Sequence, residues 1–202
     1  MKVRQISTAT CLNLLLICGM SFAEEDGMRE PGGPEIFLRL VAKSDTVRKE
    51  LSISEAQQKQ LNTLHDEILA KNLEPDTADG ERIFKQIESI LKPAQLARLQ
   101  EIFMQAVGGA SLKSSRVAKS LGLSEAQRKV VTQIWDEEQH RLKDSLSRVF
   151  FKSKKDRDAY IDKKHKQAGD RLVKDVLTNQ QREQFDKIKG ERFDVGSLPA
   201  AR

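Results

Sequence analysis

The chain has three histidines, His65, His140 and His165. The stretch "DEEQH" at 136–140 sets Glu137 and His140 three residues apart. On a helix that spacing puts both side chains on one face, where they can chelate a single metal ion. His165, with Asp162 one turn away, would be the third ligand, brought in by a returning helix. A metal centre needs three or four converging donors, so solvated polar positions on charged helices are the competing reading.

A second cluster offers contact, not coordination. Phe150 and Phe151 run directly into "KSKKDR" at 152–157, the densest positive stretch of the chain. Two adjacent aromatics cannot both face one helix seam, so one of them is expected at the surface near a turn. With Lys152, Lys154 and Lys155 they form apolar surface rimmed by charge, suited to an unfolded or acidic polypeptide or to anionic lipid. Aromatic packing in a dimer core and a plain solvated turn are the competing readings. Enzymatic words are missing: there is no G-x-S-x-G and no glycine-rich phosphate loop after a strand. "GGAS" at 108–111 lacks a lysine and reads as a linker. The expectation is a protein that is not an enzyme.

The ends frame these clusters. Lys2 and Arg4, the apolar run Cys11–Met20 and the small residues before Ala23 have the layout of a signal peptide cleaved after Ala23. Export to the periplasm or beyond the cell is expected, with no transmembrane anchor after cleavage, because the run is shorter than a membrane helix. Both cysteines, Cys11 and Cys18, would leave with it, so no disulfide would hold the mature chain. The 35 basic residues would lose Lys2 and Arg4, leaving 33 against 30 acidic ones. A surplus of three on so charged a surface favours solubility and argues against a nucleic-acid site.

From residue 35 onward the composition and the three- and four-residue apolar spacing predict helix throughout. Helix starts recur as related words. In "LSISEAQ" (51–57) and "LGLSEAQ" (121–127), Ser54 and Ser124 are N-caps with Gln57 and Gln127 three residues on, the capping-box arrangement. "LKPAQ" (91–95) places Pro93 at the first helical position with Gln95 after it. "LTNQQ" (177–181) offers Thr178 as cap and Gln181 as its partner. The first and third words align at an offset of 70 residues, the second and fourth at 86, so the later copy has 16 more residues between its words. Shared by two arms, that is about 8 residues, or 12 Å of helix, each.

The fold class predicted is all-α: duplicated antiparallel helical hairpins, the second longer. Leu61, Leu64 and Ile68 face Ile83, Ile87 and Leu91 in the first; Val131, Trp135, Leu142, Leu146 and Val149 or Phe150 face Ile161, Ala168, Leu172 and Val176 in the second. The expected organisation is a signal peptide (1–23), a flexible leader (24–34), a first repeat (35–107), a linker (108–112), a second repeat (113–193) and a disordered tail (194–202). So thin a hairpin has little interior, so a homodimer is expected.

These words in an exported, helical, basic chain resemble the LTxxQ-motif family of periplasmic proteins, the Spy and CpxP type, in a duplicated version covering roughly residues 45–192. The resemblance implies a cradle-like hairpin that shields unfolding envelope proteins without ATP, in an envelope-stress response. The family's zinc-resistance-associated relatives imply an alternative, a metal-responsive protein with zinc at Glu137, His140 and His165. A structural interaction module of the envelope is the third reading. The Ser, Thr and Gln residues of the words carry over as structural caps only.

Overall fold

A computed structural model describes residues 33–71 and 78–195; the expected signal peptide, most of the leader and residues 196–202 lie outside them. Among the described residues there are helices and no strand, so the protein is all-α.

The chain enters through α1 (Pro34–Lys43), with Pro34 in the first turn, where its missing N–H costs nothing. Ser44 stops α1 in an extended conformation and caps α2 (Asp45–Glu50), its hydroxyl accepting from Val47 N–H at 3.3 Å. Arg48 reaches back to the carbonyls of Ala42 (2.6 Å) and Val41 (3.3 Å), satisfying groups that the end of α1 leaves open. Then come α3 (Glu55–Lys71), α4 (Ala78–Ile90) and α5 (Pro93–Val107). A 3-10 segment, Gly108–Lys113, leads to α6 (Ser115–Ser120), α7 (Glu125–Leu146), α8 (Lys154–Val176) and α9 (Asn179–Ile188).

All four words sit at helix starts, and each glutamine does more than cap. Ser54 Oγ accepts from Gln57 N–H at 3.3 Å while Gln57 Oε1 accepts from Ser54 N–H at 3.1 Å. The Gln57 amide then donates across to Ile90 O (2.8 Å) and Gln95 Oε1 (2.9 Å). Gln95 Oε1 also accepts from Lys92 N–H, and Gln95 Nε2 donates to Leu51 O at 3.0 Å. The later words repeat the pattern. Ser124 and Gln127 cap reciprocally at 3.1 and 3.0 Å, and Gln127 Nε2 donates to Val176 O (3.0 Å) and Gln181 Oε1 (2.7 Å). Thr178 and Gln181 cap each other, and Gln181 Nε2 returns to Leu121 O at 3.3 Å. Two glutamine pairs thus brace the two ends of a helix pair to each other. One cap of this kind contributes about 1 kcal/mol, and each cross-brace adds to it.

The helix ends before these words also match. Ile53 N–H donates to Arg48 O and Leu123 N–H to Ala118 O, both at 2.9 Å, the hydrogen bond of a Schellman stop. That stop needs a left-handed residue, Gly122 at φ 62° in one case and Ser52 at φ 49° in the other.

Leu61, Leu64, Ile68, Ile83, Ile87, Leu91, Val131, Trp135, Ala168 and Leu172 are buried in one continuous core with α1 and α5, with Val176 partly buried against it. Toward the turn the second stripe fails: Leu146 and Ile161 are half-buried, and Val149 and Phe150 are exposed. Two further expectations need correction. The leader does not extend through residue 34, because α1 starts there and buries Phe37, Leu38 and Val41 among α3, α4 and α5. The 108–112 segment is not a loose linker either. Gly109, Ala110, Ser111 and Leu112 are buried, and the segment packs on α5, α6, α7 and α8. Small residues are required there: a Cβ on Gly109 would stand 2.0 Å from the carbonyl oxygen of Gly169 on α8.

Helices α7 and α8 are longer than α3 and α4, by unequal amounts. Helix α7 has 22 residues against 17 in α3, and α8 has 23 against 13 in α4, so the gains are five and ten. At the C-terminal end, residues up to 193 are tied down. Gln105 Nε2 donates to the carbonyls of Lys189 (2.6 Å) and Glu191 (2.8 Å), and Phe193 N–H donates to Gln105 Oε1 at 2.7 Å. The described part of the expected tail is residues 194 and 195.

Candidate functional site

Helices α7 and α8 run back along each other, and their apolar seam stops short of the turn. Leu142 and Ala168 are buried, but from residue 143 to 163 Asp158 alone is buried. The last four residues of α7 and the first ten of α8, Asp158 apart, therefore stand clear of the core, joined by a turn at 147–153. Ser153 starts α8, its Oγ accepting from Asp156 N–H at 3.1 Å.

The turn separates the adjacent aromatics. Phe151 folds inward, its ring centroid 5.4 Å from that of Tyr160, and Lys164 Nζ lies 5.5 Å from the Tyr160 ring centroid. Phe150 points the other way and is 93 % exposed, with Val149 beside it at 40 %. Lys152, Lys154 and Lys155, which follow it in the chain, are exposed as well. Between 148 and 157 the chain has five basic side chains against Asp156. Chemically the tip can offer an apolar ring to a partner and attract negative charge. Tyr160 is the member that sequence reasoning missed; its spacing on α8 gave no sign that it would meet Phe151.

The metal-ligand set is not brought together. Glu137 and His140 lie on an outer face of α7 that also carries Arg128, Gln133 and Asp136. Glu137 is drawn to Arg171, 3.7 Å away on α8, and to Gln133 at 3.3 Å. His165 lies on a different surface, between the helices, its ring centroid 5.5 Å from that of Trp135. Burial lowers the His165 pKa, with Asp162 partly opposing the shift, and so favours the neutral imidazole. Among the described residues no three His, Cys, Asp or Glu side chains converge as a metal site would require. The zinc reading at Glu137, His140 and His165 is corrected on that ground.

No described helix is long and apolar enough to cross a membrane. No family model matches the chain, and no curated protein or solved structure matches it.

Proposed function

We propose that the protein is a non-enzymatic, exported holding protein of the Spy and CpxP kind, which grips non-native envelope proteins with the tip of its long hairpin. The supporting observation is Phe150, a large apolar side chain left 93 % exposed, with the exposed Lys152, Lys154 and Lys155 close after it in the chain. Leaving a phenylalanine in water forgoes about 1.5–3 kcal/mol that burial would recover, and the fold gives Phe150 nothing to pack on. One ring of that worth binds weakly and lets go. The nearby positive charge raises the encounter rate with acidic segments without tightening the final complex much. Together these suit brief, unselective contact with an unfolding chain and no nucleotide cycle.

The test is aggregation of an unfolding protein followed by light scattering, without ATP. The wild type should suppress scattering at near-equal molar ratio, and Phe150→Ser should lose most of that effect while melting at an unchanged temperature. No suppression by the wild type at tenfold excess removes the reading, and capture of one partner at fixed stoichiometry would replace it with a structural interaction module.

A further inference from the structure

A cavity of about 210 Å³ opens between α7 and α8 on the body side of the tip. Two of its walls are apolar, Leu142 and Ala168, and both are buried. Two other lining residues, Gln139 and His165, each have a buried nitrogen, Nε2, that finds no hydrogen-bond partner in the protein. Buried polar groups are nearly always paired, by protein, water or ligand, so two orphans lining one cavity offer a bound group two places to pair. The amide nitrogen of Gln139 can only donate, and the imidazole can donate to the same acceptor.

The charges around the cavity are nearly balanced. The acid in the lining, Glu138, is already taken by Arg141 at 2.8 Å and by Arg171 at 2.7 Å. Lys164 adds a further positive charge to the rim. Asp162 acts on His165, and Glu137 and Asp175 share Arg171, so net charge does not choose the ligand. Two nitrogens able to donate into one cavity call for an acceptor with two oxygens. A planar carboxylate has two oxygens for the two orphaned nitrogens, and a short hydrocarbon tail would lie on Leu142 and Ala168. The volume is that of roughly seven water molecules at ~30 Å³ each, room for a small acid and too little for a folded segment.

We propose that this cavity between α7 and α8 binds a small free monocarboxylate, its oxygens held by Gln139 and His165 and its tail by Leu142 and Ala168. The site is separate from Phe150 and does not depend on the holding function.

Trp135 is the chain's single tryptophan, and its ring lies against His165, so its emission reports on the site. The wild type is titrated with sodium butyrate, with sodium chloride at matched ionic strength, and with butyramide. Butyrate should give a saturating change with a midpoint in about the millimolar range, as expected of so small a ligand. Chloride and butyramide should give none. Gln139→Met and His165→Phe should each weaken butyrate binding by about tenfold or more, the loss expected for one charge-assisted hydrogen bond. A non-saturating response to butyrate, an equal response to butyramide, or wild-type affinity in a folded Gln139→Met overturns the assignment. Binding of a tripeptide with a free C-terminal carboxylate in place of butyrate would also overturn it, in favour of a chain end. The comparison of the three solutes needs no variant, so a variant that fails to fold leaves the test intact.

Discussion

The two halves of the molecule close the same kind of brace over different fillings. In the first, α1 lies against α3, α4 and α5, and Phe37 stacks on Phe103 at 4.1 Å and meets Phe84 edge-on at 5.3 Å. In the second, the equivalent stretch before α6 is the 3-10 segment "GGASLK", which brings backbone against backbone at Gly109 and Gly169. The glutamine pairs are nevertheless the same, Gln57 with Gln95 and Gln127 with Gln181. The hydrogen-bonded brace therefore sets where helices start and how their ends meet. The residues beneath it are free to be large or small, provided that they fill the space. The halves also differ in reach: the first keeps its described seam within the core, while the second extends past Leu142 into solvent.

If the fillings differ in this way, opposite substitutions should damage the two halves most. Phe37→Ala empties a packed aromatic cluster and should cost about 3–5 kcal/mol in chemical denaturation. Gly109→Ala adds one methyl where the Gly169 carbonyl already stands, and should cost about 1–3 kcal/mol or more as the segment and α8 are pushed apart. A harmless Gly109→Ala would mean that the close approach does not exist.

If the brace is shared, Gln57→Ala and Gln127→Ala should each cost about 1–2 kcal/mol, combining a lost cap with a lost cross-bond. In the double variant Gln127→Ala, Gln181→Ala, the loss should be smaller than the sum of the singles, since the two amides bond to each other. Strict additivity would reduce the glutamines to independent caps. The smallest effect concerns the Schellman stops. Ser52 occupies the left-handed conformation that Gly122 adopts without strain, so Ser52→Gly should stabilise by up to about 1 kcal/mol. A destabilised Ser52→Gly would contradict the equivalence of the two turns.

What the sequence disclosed and what it hid divide along contact range. Ser54, Pro93, Ser124 and Thr178 were legible as helix starts because a cap bonds to its own next turn. The second use of each glutamine was not, since Gln57 and Gln95 meet only once the helices between them fold back. The glycine pair read as a linker for the same reason: the residue that requires Gly109 to be small is Gly169, on a helix far along the chain. His165 looked like a partner for His140 by spacing, but α8 turns it toward Trp135 instead. Adjacency did serve at the tip. Two consecutive aromatics imply an outward one, and Phe150 is that residue.

The proposed contact between the tip and an unfolding protein can be read directly. A photo-crosslinking residue is placed at position 150, and separately at position 130, where the exposed Val130 lies on α7 near its start. Each variant is irradiated with an unfolding test protein. Crosslinks concentrated at position 150 and sparse at 130 are the expected result; equal capture at both sites, or capture at 130 alone, would show that the tip does not hold the client.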